Sequence, residues 1–578
     1  MKTLRYFADN YRAQSLLVLL YLLLAGVLEG VGLSALLPIL SLVAQEGSDG
    51  AGTDSVPSKL ETAVDNALQR VGLESSLEVL IPILAVFFWL KSGVLLFAKR
   101  QIGYTVARVA TDLRLELLRA LISARWSHYA RLRPGSAANA LATEAERGSL
   151  AYHHLAQVCG HALETALYFG LALAVSWQIA VGGAVAALLI FGSLSALVRM
   201  ASRAGRKQTK YLKLLLSRVT DSLQAVKLLK ATSRESLIGP LLESDTNQLN
   251  IALRRRVFSR EALRALQEPI LVTCLCVGVY AGHLLFAIPM AEVGMLAALF
   301  ARMMASANKI QRRLQMTATE TSALWSLRGM IDQASNDIEV LPTGATPTLE
   351  RGIELRDVRV CVDGARIFDD LSLSVPAGSI TAIVGESGAG KTTAADLVTG
   401  LVRPDAGEVY VDGVPLGELD LRRWRELIGY VPQEVLMLHD SVAKNVSLGD
   451  PAVTADQVEG ALRDAGAWEF VSALPGGIEC SVGERGARLS SGQRQRIAIA
   501  RALVHGAKLL ILDEATAALD STNEAAIWSA IERLRERTTV IAISHQPALR
   551  GVADRIYRIA DGRCTAIETS RRTERAAS

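Results

Sequence analysis

The stretch Gly385-Glu386-Ser387-Gly388-Ala389-Gly390-Lys391-Thr392 decides how the C-terminal half folds. It has the spacing G-x-x-x-x-G-K-[ST], follows the apolar run 380–384 and opens a helix-forming segment, which is the setting a phosphate-binding loop requires. Glycines let successive backbone N–H groups curl around phosphate oxygens, and the helix N-terminus behind them adds partial positive charge. Lys391 is then placed to reach the outer phosphates and Thr392 to ligate Mg²⁺. A second apolar run, Leu509-Leu510-Ile511-Leu512, ends in Asp513-Glu514. As a strand buried in a sheet it delivers the Asp513 carboxylate to the Mg²⁺ shell, and Glu514 can polarise the attacking water. Short β-rich runs at 380–384, 408–411, 509–512 and 539–543 alternate with helical patterns, predicting an α/β phosphate-loop ATPase domain over 351–578.

Working outward, the N-terminal half has another texture. Half of the 578 residues are hydrophobic, which excludes a disordered or fibrous chain and suggests lipid contact. A net charge of only +4 gives no case for a nucleic-acid partner. Apolar runs at 16–43, 79–98, 155–177, 179–198, 269–286 and 293–307 predict six membrane spans, the first too long for a signal peptide and read as a retained anchor. Residues 1–330 are therefore expected to form an all-α six-helix transmembrane domain with cytoplasmic helical extensions. A linker over 331–350 follows, where Pro342, Gly344 and Pro347 break the periodicity. The basic stretches 99–133 and 199–264 belong in the cytoplasm and the acidic loop 44–78 outside, which puts both termini inside. Six cysteines without a C-x-x-C pair make a disulfide framework or zinc site an unsuitable reading.

Further motifs sharpen the soluble half. Leu489-Ser490-Ser491-Gly492-Gln493, Tyr430-Val431-Pro432-Gln433, Ala518-Leu519-Asp520, Ile543-Ser544-His545 and Val482-Gly483-Glu484-Arg485-Gly486 together resemble the ATP-binding-cassette (ABC) transporters. Six spans fused ahead of one cassette match the exporter half-transporter arrangement. The resemblance implies the ABC exporter fold, ATP and Mg²⁺ as cofactors, and ATP hydrolysis coupled to transport. It implies catalytic roles for Glu514, His545 and Gln433, metal contacts from Thr392, Gln433 and Asp513, and nucleotide contacts from Gly385 through Thr393. It further implies that Ser490, Ser491, Gly492, Gln493 and Asp520 complete the nucleotide site, the signature of one chain covering the phosphate loop of another, so a homodimer is expected. The connections near 135–142 and 231–237 would transmit movement. Two departures stand out: Val362 occupies the position where an aromatic normally stacks on adenine, and Ser491 replaces a usual glycine.

The substrate is less legible. Glu29 lies mid-span, where an unpaired carboxylate is costly; it either contacts substrate or pairs with Lys91 or another helix. His161 and Glu164 in the third span carry the same choice, with satisfied packing preferred. Residues 58–71 have capping-box spacing and one apolar face, predicting an amphipathic helix at the outer surface, more readily a lid over the spans than a substrate guide. The first span, this outer helix, Asn308-Lys309-Ile310 and Glu386 are similar to those of bacterial flippases of lipid-linked oligosaccharides. The expectation is an exporter or flippase of an amphipathic or lipid-linked substrate in the bacterial inner membrane. A peptide exporter and an ATP-gated channel or sensor are the alternatives.

Overall fold

A computed structural model describes residues 2–39, 59–70, 76–132, 134–178, 226–234, 238–280, 290–362, 364–516, 521–535, 537–544 and 549–567, with scattered positions in 42–72 and 180–236. The chain divides into two compact units, Met1–Ser123 with Leu132–Asn336, and Ala124–Arg131 with Asp337–Ser578.

The first unit is helical: α1 (Lys2–Asn10), α2 (Arg12–Ser34), α3 (Lys59–Arg70), α4 (Leu77–Ile122), and, beyond the short helix α5 (Trp126–Arg131) of the second unit, α6 (Pro134–Asn139), α7 (Ala145–Val175), α8 (Val226–Ala231), α9 (Ile238–Tyr280) and α10 (Met290–Asn336). Among the described residues three helical stretches, Arg12–Ile39, Leu77–Ile122 and Gly135–Val175, are long and apolar enough to cross a membrane. Most of the expected span 179–198 and the end of 269–286 lie outside the described residues. At about 1.5 Å per residue, α4 is more than twice as long as the roughly 30 Å hydrocarbon core, so it continues past any bilayer it crosses. Its buried residues Ala98, Ile102, Thr105, Val109, Leu113 and Leu117 recur every three or four positions, the stripe of one helix face. The same spacing buries Leu324, Leu327, Ile331 and Ala334 on α10, so residues 331–336, expected in the linker, are the end of a packed helix. Helix α3 seats Leu68 against Leu80 and Ala35, packing that suits a lid over helix ends.

The second unit is built on a ten-stranded sheet. Its strands are β1 (Gly352–Val362), β2 (Ala365–Pro376), β3 (Ile380–Gly385), β4 (Ala406–Val411), β5 (Val414–Pro415), β6 (Ile428–Val431), β7 (Leu509–Asp513), β8 (Thr539–Ile543), β9 (Arg555–Ala560) and β10 (Arg563–Ile567), in the order β5-β4-β1-β2-β10-β9-β3-β8-β7-β6. One wing, β5-β4-β1-β2, is antiparallel, whereas β9, β3, β8, β7 and β6 run parallel. Parallel strands covered on both faces read as continuous apolar runs, and β7 and β8 are buried throughout. Alternation sends Leu510 and Leu512 into one core and Leu509 and Ile511 into the other. The segment 124–131 joins this unit through short bonds: Arg125 N–H donates to Asp337 O at 2.8 Å and His128 Nδ1 lies 2.9 Å from Asp337 Oδ2. Of the two connections expected to transmit movement, 135–142 falls on α6 and the wide helical turn 140–144 that leads into α7, and 231–237 lies partly outside the described residues.

Behind the phosphate loop runs α11 (Lys391–Val398), pinned from α12 (Leu421–Glu426) by Trp424, which is fully buried and donates its indole N–H to Val398 O at 2.9 Å. Removing this ring opens a cavity and orphans the carbonyl. Trp424→Ala is expected to destabilise the unit by about 3–5 kcal/mol, and Trp424→Phe by about 1–3 kcal/mol through the unpaired carbonyl alone. Denaturant unfolding of the two variants beside the parent checks the order.

Candidate functional site

The site grows from the ends of two strands of the parallel wing. Strand β3 delivers the chain to Gly385, where a Cβ would meet Ile559 O at 2.4 Å, so the backbone passes too close to β9 for a side chain. The loop ends at Gly390 with φ +98, a left-handed conformation that also puts a would-be Cβ 2.8 Å from the Phe368 ring. Helix α11 starts at the next residue, so Lys391 and Thr392 sit in its first turn. Lys391 is 5% exposed, and a buried ammonium needs acceptors. It donates to Gly385 O at 3.1 Å and Glu386 O at 2.9 Å, and its Nζ lies 3.6 Å from Glu514 Oε1.

Strand β7 supplies the acids. Asp513 is its last residue, also 5% exposed, and accepts a bond from the Tyr430 hydroxyl at 3.1 Å. Burial pushes the Asp513 carboxyl up from the usual carboxylate range, with bonds from Thr392 and Tyr430 opposing and Glu514 adding to the rise. Burial, and then the Asp513 charge, also raise Asp396 on α11 to about 6. Tyr430 is raised as well, by burial first and then by the two aspartates. Glu514 leaves the strand with φ +48, and its N–H donates to Ile543 O at 2.9 Å, tying it to the end of β8. Gln433 Nε2 donates to Glu514 Oε2 at 2.6 Å.

The structure thus brings Lys391, Thr392, Gln433, Asp513 and Glu514 into one cluster. Tyr430 and Asp396 belong to it too; the tyrosine stands in the quoted Tyr430-Val431-Pro432-Gln433, but its bond to Asp513 carries no local signal. Ser490 caps helix α13 (Ser491–Leu503) in a reciprocal box: Gln493 N–H donates to Ser490 Oγ at 3.3 Å and Ser490 N–H to Gln493 Oε1 at 2.9 Å. Ser490 and Ser491 are exposed and Gly492 is buried. Val362 ends β1 at 42% exposure. Asp520 and His545 lie outside the described residues.

In the membrane unit, Glu29 is 1% exposed and one of its oxygens meets three donors: Lys91 Nζ and Arg302 Nη1, each at 2.7 Å, and the Tyr168 hydroxyl at 2.8 Å. Of the alternatives for this residue, pairing with Lys91 and with a second helix both occur. Glu164 Oε2 lies 2.9 Å from His161 Nδ1 and accepts from Ser306 at 3.3 Å.

Comparison with known proteins gives this geometry its context. Residues 16–307 match the family model for the ABC transporter transmembrane region, and residues 368–517 the model described as ABC transporter. An ATP-dependent lipid A-core flippase of Paraburkholderia xenovorans is 30% identical over 80% of this chain and 78% of its own length. The heterocyst differentiation ATP-binding protein HepA of Nostoc sp. is 28% identical over 79% of this chain and 75% of its own. A lipid A-core flippase of Burkholderia pseudomallei reaches 46% over 35% of this chain, a match that spans 34% of that flippase. The solved structure of a bacterial Atm1-family ABC exporter with ATP bound shares the fold, with a TM-score of 0.75 at 21% identity, covering 99% of this chain and 97% of that one. The chain belongs to the ABC transporters, as a multi-pass half-transporter of exporter fold whose cassette binds ATP and couples its hydrolysis to transport.

Proposed function

We propose that the chain is a homodimeric flippase of the bacterial inner membrane that moves an amphipathic, lipid-linked molecule outward. The observation that carries the catalytic part is the cluster in which one carboxylate, Glu514, meets both Lys391 and Gln433. Lys391 would exchange its loop carbonyls for the outer phosphate oxygens. Glu514, released from that ammonium, would accept a proton from the attacking water, while Gln433 holds the carboxylate in line. Thr392, Asp513 and the Gln433 carboxamide offer hard oxygen donors around a buried acid, a set that suits Mg²⁺. When bound, that ion supplies positive charge to the phosphate oxygens. The exposed, capped end of α13, with Ser490 and Ser491, would close over the phosphate loop of a second copy. Asp520 and His545 would complete that shared site, and Val362, without a ring, would leave the base loosely held. The lipid assignment is supported by relatives that are lipid A-core flippases and by polar groups set within the membrane helices.

Glu514→Gln is expected to retain ATP while turnover falls by about 10²–10⁴-fold, the contribution of a positioned general base. Lys391→Ala is expected to weaken nucleotide binding itself. Paired binding and hydrolysis assays separate the two, and normal hydrolysis in both variants would contradict the assignment. In proteoliposomes, lipid-linked glycans are expected to stimulate ATP hydrolysis and peptides not; stimulation by peptides alone would remove the flippase reading. The raised Asp396 gives a pH test. An acid that titrates near 3.8 when unfolded and at about 6 when folded lowers stability as pH rises through that window. Asp396→Asn is therefore expected to flatten the decline in nucleotide-free thermal stability between about pH 4 and 6.

A further inference from the structure

The chain that leaves α10 at Asn336 is laced to the second unit as soon as it enters it. Ile338 O accepts from Arg125 Nε at 3.2 Å and Val340 O from Arg403 Nη2 at 3.0 Å. Pro342 O accepts from Leu421 N–H at 3.2 Å, Ala345 O from Asp420 N–H at 2.9 Å, and Thr346 Oγ1 from Arg423 Nη1 at 3.1 Å. Residues 338–346 thus form a strap bound to α12 and to the residue before it, and a segment held by this many bonds moves with what it is bound to.

One contact of the strap reaches beyond α12. Glu339 and Arg425 pair through both oxygens, Nη1 to Oε2 at 3.0 Å and Nη2 to Oε1 at 2.7 Å, with each side chain 25% exposed. The same guanidinium also holds the end of the phosphate-loop helix: Nε donates to Thr399 O at 3.1 Å and Nη2 to Gly400 O at 2.9 Å. Thr399 is the C-terminal cap of α11, so this cation answers the negative end of the helix whose first turn carries Lys391 and Thr392. Exposed single-contact ion pairs contribute little. This one is forked, largely buried and joined to helix carbonyls, so neither partner shifts without drawing the other or losing a bond.

We infer that Glu339 and Arg425 are positioning residues that carry movement between the end of α10 and the phosphate-loop helix. Only two residues stand between Asn336, the last of α10, and Glu339. At about 1.5 Å per residue α11 is about 12 Å long, a hydrogen-bonded rod that passes a displacement of its C-terminal carbonyls to its first turn. Trp424, bonded to Val398 O, keeps α12 in step with it. A nucleotide that draws on Lys391 therefore pulls Arg425 and, through it, Glu339. Displacement of α10 acts in the reverse sense, because coupling between two sites is reciprocal. The inference rests on the phosphate-loop reading of 385–392 and not on what is transported.

The test is hydrogen exchange on the full chain in nanodiscs, with and without a non-hydrolysable ATP analogue and Mg²⁺. In the parent, the analogue is expected to slow exchange over 385–400 and also over 331–346, the latter by about fivefold, the low end of coupling between sites. In Glu339→Gln, which cannot form the charged fork, the slowing at 385–400 is expected to persist and that at 331–346 to disappear. Thr346→Val, which cuts another bond of the same strap, is expected to keep both. Slowing at 331–346 that survives in Glu339→Gln, or that never occurs in the parent while 385–400 responds, overturns the inference. So does its loss in Thr346→Val, or an exchange over 331–346 that is already faster in Glu339→Gln before nucleotide is added, since either makes the pair a fastening only. A parent that responds in neither segment contradicts the phosphate-loop reading and the inference with it.

Discussion

The contact on which the cassette depends is that of a buried ammonium with a carboxylate. Lys391 and Asp513 are each 5% exposed, and β3 and β7, which carry the chain to them, both pair with β8 between them in a parallel sheet. Neither charge is stable there alone, so the loop carbonyls, Glu514 and Tyr430 answer them. An arrangement whose charges are matched by the protein itself is one that a charged ligand can re-partition. On the proposed mechanism, a triphosphate that competes for Lys391 leaves Glu514 to act on the attacking water.

The same rule orders the membrane unit, where solvent gives even less help. Glu29 sits in the apolar helix α2, and one of its oxygens gathers Lys91 from α4, Tyr168 from α7 and Arg302 from α10. Four helices are thereby fixed at one polar point, and a change in any of their positions has to keep or break that point as a unit. Further along the same helices the cations outnumber the acids.

How much of this was legible in the sequence follows the range of each interaction. The phosphate loop and the acid-tipped strand are local patterns: a loop needs its glycines in order, and a strand buried on both faces needs an unbroken apolar run, as 509–512 has. The fused membrane and cassette halves were legible for the same reason. Arg302 was not, because it stands 273 residues from Glu29 and reads locally as a charge within the last apolar run. Asp396 was silent for a similar reason, since only the packing of α11 against the sheet brings it near Asp513. The end of α10 was misplaced by composition: residues 331–336 look like the start of a linker, yet Ile331 and Ala334 are buried.

On the proposed function, ATP holds two copies of the cassette together and hydrolysis lets them part. The most direct measurement is the distance between spin labels at Asp456, an exposed cassette position, on the two copies in a bilayer. A shorter, narrower distance distribution is expected with ATP and Mg²⁺ in the Glu514→Gln protein, and a return to the nucleotide-free distribution as the parent protein hydrolyses its ATP. A distribution indifferent to nucleotide, or labels that never come within range of each other, would contradict it.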